Sequence, residues 1–248
     1  MKYIDAHIHL GDCRVFDLNI TEEELLNALE KHRIDAAIVQ PFPGASDYKD
    51  VHERIYKLSL KYPGHIYGLV SVNPHMPKDE YESIVKHYVV DYGFVGIKLH
   101  TIGHAINPLS KDAHTVYEVA AKLNVPVNIH TGIGLPFSVP SLCIPVANEY
   151  PELTFVIAHS GTMMLTSEAI LAAQMCSNIF LDTTWCCVED IPYIVDAVGS
   201  DRIVFASDSL KNIGLEIEKY ILSDLSQKQQ QEIFYKNASS IFNIKSVE

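Results

Sequence analysis

Five residues of this 248-residue chain have the types and placement of a metal site. His7 and His9 stand in "YIDAHIHL", His130 in "VPVNIHTG", His159 in "TFVIAHSG" and Asp208 in "IVFASDS", each near the end of an apolar run. Positions i and i+2 of a strand share a face, so His7 and His9 must project together. Imidazoles converging on a carboxylate without thiolates form the ligand set of zinc or a similar divalent ion. A lone strand histidine is ordinarily a hydrogen-bonded core residue, and His130 or His159 by itself would be read that way. Their joint placement at equivalent ends resists that account, because each buried polar group would need its own partner. Lys98 and His100 interrupt "FVGIKLH" in the same manner. Of the other histidines, His32, His52, His87 and His114 fall on helical segments and His65 and His75 flank the third run, whereas His104 lies in the loop after the fourth.

Eight β-branched runs must position these residues: "YIDAHIHL", "AAIVQPF", "IYGLVSV", "FVGIKLH", "VPVNIHTG", "TFVIAHSG", "IFLDTTW" and "IVFASDS". Segments of helical period separate them, the first opening with a capping box at Thr21 and Glu24, and "QKQQQEIFYKNASSIF" adds one more helix at the end. Strands apolar on both faces and each followed by a helix imply a covered parallel sheet. Eight such repeats close an α/β fold of the (β/α)8 TIM-barrel type, expected as a single domain over residues 1–248. An open doubly wound sheet is the rival, but no G-x-G-x-x-G or G-x-x-x-x-G-K-[ST] follows any strand. The polar residues gather at strand C-terminal ends, where barrel enzymes build their sites.

Composition narrows the partners. A net charge of -12 with only four arginines disfavours nucleic acid and anionic membranes, which require clustered basic residues. No apolar run approaches a membrane span, and no signal peptide is expected. Five cysteines without a C-x-x-C argue against a disulfide framework and fit a reducing cytoplasm. A small-molecule substrate is the expected partner, with room for a homo-oligomer.

"DAHIHL", "GFVGIKLH", "VNIHTG", "FVIAHSG", "FASDS" and the late "NASSIF" resemble the amidohydrolase superfamily. Within it, the resemblance is to the amidohydrolase-related group of metal-dependent hydrolases, which also holds non-oxidative decarboxylases. It runs from about Tyr3 to about Phe242 and implies a bare barrel of the metal-dependent hydrolase type. It assigns His7, His9, His130, His159 and Asp208 to the metal. Lys98 joins them only if carbamylated, as in binuclear members; otherwise it is a cation that grips a substrate carboxylate. One or two divalent ions per chain are therefore expected, zinc first among them. Asp182 is expected to support the site through hydrogen bonds.

Asp208, with His159, is the expected catalytic pair, because a carboxylate beside a metal-activated water can accept a proton and return it to the leaving group. The mouth offers Arg14, Lys98, His100, His104 and Trp185 for substrate. Arg14 reads equally as a solvated loop residue, Trp185 more readily as a core cap, and Cys186 and Cys187 as two packed small side chains. The expected activity is a metal-dependent hydrolase acting on an amide, ester or lactone of a small polar molecule. Decarboxylation of a small carboxylic acid by the same site is the alternative. A barrel that binds metal without catalysis is a third reading, opposed by a ligand set that includes a proton carrier.

Overall fold

The computed structural model describes residues 1–244. Its strands are β1 (Ile4–Cys13), β2 (Leu18–Ile20), β3 (Ala36–Pro41), β4 (Ile66–Gly68), β5 (Ile97–Leu99), β6 (Val127–His130), β7 (Phe155–Ala158), β8 (Ile179–Asp182) and β9 (Ile203–Val204). One sheet has the order β2-β1-β3-β4 and the other β5-β6-β7-β8-β9. Parallel bridges join them at both seams, Ile8 with Asp208 and Val70 with Ile97. The eight parallel strands, β1 and β3 to β9, therefore close in chain order into the expected α/β barrel.

Between consecutive strands run helices, of which Glu22–Lys31 carries the capping box of Thr21 and Glu24. The segment "GDCRVFDLN" that carries Arg14 forms a hairpin in which Leu18–Ile20 pairs antiparallel with Gly11–Cys13. The last helical segment is one path with a π-turn at Glu232–Lys236 between two short α-helices. Among the described residues no helix is long and apolar enough to cross a membrane.

The core has two layers. Ile8, Leu10, Val39, Val127, Ile129 and Phe155 face outward and pack with helix residues such as Leu25, Ile55 and Val116. Ile4, Ala36, Ile38, Leu69, Val156, Val204 and Ala206 form an inner plug, extended by Ala238 of the C-terminal helix and by Phe242 just past its end. Each inner row then changes chemistry toward the strand ends: two positions beyond Ile38, Leu69 and Ala206 stand Gln40, Ser71 and Asp208. Alternation carries Gln40 and Ser71 inward, whereas Asp208 turns in from a left-handed backbone.

In β1 the alternation is broken. Asp5 pairs with Ala37 and Ile8 with Val39, so β1 uses three residues where β3 uses two, a β-bulge. Below it Ile4 belongs to the inner plug, and above it Ile8 and Leu10 face the helices. His7 and His9 consequently face the interior. The buried Asp5 carboxylate fixes this point, accepting from the His7 backbone N–H at 3.2 Å, the Ser207 N–H at 3.0 Å and Ser207 Oγ at 2.5 Å. Burial pushes its pKa up to about 7 against these hydrogen bonds.

Candidate metal centre

At the top of the barrel three side chains meet. His7 Nε2 and His9 Nε2 are 3.3 Å apart, and Asp208 Oδ1 lies 3.2 Å from the first and 3.3 Å from the second. Asp208 reaches them from a left-handed backbone (φ 62°), a conformation Asp tolerates, with its own N–H donating to the His7 carbonyl at 2.7 Å. Burial raises the Asp208 pKa, yet His159, His9 and His7 around it hold it well below the usual carboxylate range.

The histidine tautomers follow from their other nitrogens. His7 Nδ1 donates to Asp182 Oδ2 at 2.9 Å, and His9 Nδ1 donates to the Pro41 carbonyl at 3.1 Å. Thr184 Oγ1 gives its hydrogen to Asp182 Oδ1 and so accepts from His159 Nδ1 at 2.9 Å. Each ring is thereby left to offer the lone pair of Nε2. Burial, followed by the nearby Lys98, lowers the His7 pKa to about 3; burial pushes Asp182 up, but the His7 hydrogen bond, the charges of His7 and His159 and the Thr184 hydrogen bond together hold it at about 2.

Two lone pairs and a carboxylate oxygen at mutual distances of 3.2–3.3 Å repel one another unless a cation lies between them. Ligand atoms about 2.1 Å from a tetrahedral ion would be about 3.4 Å apart, close to these separations. The residues fit a divalent metal ion. Three further atoms support this fit: Gln40 Oε1, Asn128 Nδ2 and His130 Nδ1 are buried without a hydrogen-bond partner. Lys98 Nζ and Gln40 Nε2, each 3.3 Å from a ligand nitrogen, would give up that contact to an ion.

Not every expected residue joins the cluster. A second group of possible ligand atoms, within 4.8 Å of one another, brings His159 together with His7 and Asp182. His159 takes a left-handed backbone (φ 66°) just past Ala158, which turns its ring toward the others. His130 belongs to neither ligand group; its ring lies 4.8 Å from that of His159 and stacks on His100 at 4.0 Å. Lys98 Nζ donates to Asn128 Oδ1 at 2.7 Å, and burial lowers its pKa to about 8 against the pull of Asp208 and Asp182. His100 Nδ1 accepts from the Gly103 N–H at 3.0 Å and His104 Nδ1 from the His100 N–H at 3.3 Å, so both brace the loop after β5. Arg14 is exposed on the β1–β2 hairpin. Trp185 stands at the mouth with its indole nitrogen on Asp208 Oδ2 at 2.9 Å. Gln40, Ser71 and Asn128 escaped the sequence analysis, although each is a polar residue breaking an apolar run, the signal that exposed Lys98.

The amidohydrolase family matches residues 4–244. No curated protein matches the chain in sequence. Among solved structures, the 2,6-dihydroxybenzoate decarboxylase from Rhizobium is 14% identical with a TM-score of 0.77, covering 98% of this chain and 99% of that one. The 5-carboxyvanillate decarboxylase from Novosphingobium aromaticivorans, complexed with manganese, is 14% identical with a TM-score of 0.77, covering 98% and 96%. The 4-oxalomesaconate hydratase from Rhodopseudomonas palustris is 20% identical with a TM-score of 0.69, covering 97% and 95%. At such identities the likeness is one of fold.

Proposed function

The chain belongs to the amidohydrolase family, and we propose that it is a metal-dependent lyase, a non-oxidative decarboxylase of a small carboxylic acid. The observation that carries this reading is the placement of Lys98. Its buried Nζ lies 3.3 Å from His7 Nε2, putting an amine beside the ligand triangle where a substrate carboxylate would be drawn. The decarboxylases among the structural neighbours, one of them complexed with manganese, support the same choice.

His7, His9, His159 and Asp208 would hold the ion, and His130 lies one ring away. A bound divalent ion would supply positive charge to orient the carboxylate and offset the negative charge that develops as CO2 departs. Lys98 Nζ grips the carboxylate, with Asn128 fixing the amine. When the carbon–carboxyl bond breaks, its electron pair stays on the carbon, which must receive a proton. Asp208 takes that proton from a substrate hydroxyl or water, which is left as the oxyanion, and returns it to the carbon. The buried walls around His7, His9 and Lys98 limit water at the reacting atoms. His100 and His104 shape the rim. The free cysteines fit a reducing cytoplasm.

The hydrolase reading employs the same groups but requires water to end in the product. Protein loaded separately with manganese and zinc would be offered a panel of hydroxybenzoates, other small carboxylic acids, lactones and amides in D2O. Release of CO2 with one deuterium on the former carboxyl-bearing carbon is the expected result. Cleavage of a lactone or amide without any CO2 release across the panel would overturn the decarboxylase assignment in favour of hydrolysis.

A further inference from the structure

We propose that Trp185 is a positioning residue of this centre, its indole N–H tethering one oxygen of Asp208 so that only the other faces the imidazoles. The proposal rests on Asp208 being a metal ligand. Trp185 Nε1 donates to Asp208 Oδ2 at 2.9 Å, while Oδ1 is the oxygen 3.2 and 3.3 Å from His7 and His9. An untethered carboxylate could rotate or offer both oxygens to an ion; the tether leaves one.

Trp185 does not occupy this place by packing. It is 45% exposed, so it plugs no core, and its backbone lies in the left-handed region at φ 65°. A bulky residue there is strained and persists only when its surroundings hold it. The restraint is visible. The Trp185 backbone N–H donates to Glu216 Oε1 at 3.0 Å, and Asn212 Nδ2 donates both to that oxygen at 3.0 Å and to the carbonyl of Ser207 at 3.1 Å, one residue before Asp208. Lys219 pairs with the other oxygen of Glu216 and donates to the carbonyls of Thr183 at 2.8 Å and Cys186 at 3.2 Å, on either side of Trp185. Glu216 and Lys219 thus bind the Trp185 loop to the Asp208 loop. Buried ion pairs contribute little net stability. This one joins the two loops whose relative position sets the indole–carboxylate contact.

Trp185 is the only tryptophan, so its indole N–H gives one identifiable cross-peak in the ¹H–¹⁵N spectrum of the full-length, metal-free protein. In the wild type that peak is expected downfield and slow to exchange. Asp208→Ala should move it upfield and speed its exchange. Trp185→Phe retains a ring but lacks the donor; with far-UV CD unchanged, its Mn²⁺ affinity by EPR titration should fall about tenfold. Glu216→Ala should broaden the indole peak and weaken Mn²⁺ in the same direction. An indole peak unmoved by Asp208→Ala, or wild-type Mn²⁺ affinity in a folded Trp185→Phe protein, overturns the proposal while leaving the metal site standing. Failure of the wild type to bind Mn²⁺ or Zn²⁺ overturns the metal-site reading and this proposal together.

Discussion

Asp182 Oδ2 accepts from His7 Nδ1 at 2.9 Å, and through Oδ1 the same carboxylate holds the Thr184 hydroxyl that receives His159 Nδ1. One buried anion therefore sets the tautomer of two rings while remaining outside the His7, His9 and Asp208 triangle. The Asp182 backbone carbonyl also accepts from Ser160 Oγ at 2.8 Å, tying it to the turn that aims His159.

Asp182→Asn should weaken metal binding without unfolding the barrel. An amide can present a donor to His7 Nδ1 and so favour the tautomer that carries hydrogen on Nε2. The expected loss in Mn²⁺ or Zn²⁺ affinity is about 10–100-fold, read by calorimetry with far-UV CD as the control. Unchanged affinity would show that other contacts orient the ring.

Replacing both His7 and His9 by alanine should empty the centre. Elemental analysis of the wild type should give about one, and at most two, divalent ions per chain, whereas the double variant should retain little. The outer core residues Ile8 and Leu10 are untouched, so the CD spectrum should be preserved. Wild-type metal content in a folded double variant would refute the ligand assignment.

The barrel and most of its inward polar residues could be read from the sequence because both follow from periodicity. Apolar runs alternating with helical segments require a covered parallel sheet, and polar residues ending those runs mark the mouth. Reach was not legible. His130 occupies the expected strand end, yet its ring stacks on His100 and belongs to neither ligand group. Trp185 is at the mouth, but its bond to Asp208 depends on a left-handed residue and a glutamate 31 positions later. Neither leaves a periodic trace. The β1–β2 hairpin was missed because "LNI" is exposed and too short to announce a strand.

Asp208→Asn should separate proton transfer from metal retention. The amide keeps the size and one acceptor oxygen but cannot carry the proton. With metal content retained, kcat on the substrate identified should fall by about 10²–10⁴-fold. Near wild-type turnover with metal bound would move the proton carrier to His159, His100 or His104.

His52 should make the protein acid-sensitive in a defined window. It is buried between the Tyr48 carbonyl, to which Nδ1 donates at 2.8 Å, and the Ser71 N–H, which Nε2 accepts at 3.0 Å. Burial lowers its pKa from 6.5 to about 3. The unfolded chain binds the proton first, so the contribution is complete above about 6.5 and is lost as pH falls toward about 3. Within that window one such group changes stability by about 1.4 kcal/mol per pH unit. Urea unfolding of metal-free protein at several pH values should show a shallower acid slope for His52→Gln, even though that variant is less stable at neutral pH. Equal slopes would exclude His52 as a source.

The extra residue in β1 makes that strand two segments of opposite phase joined in one line. Read continuously from Ile4, the alternation would send Ile8 into the barrel and His7 and His9 among the helices. The inward aim of the two imidazoles is therefore a property of the strand's bulge as much as of its sequence. Deleting Ala6, the one residue between Asp5 and His7, would remove the need for the bulge, because Ile4, His7 and His9 would then alternate onto one face of a regular strand. An insertion of two residues would preserve phase but raise the pair by about 7 Å, past Asp208. In this strand the bulge held by Asp5, and not the alternation, keeps both imidazoles inside.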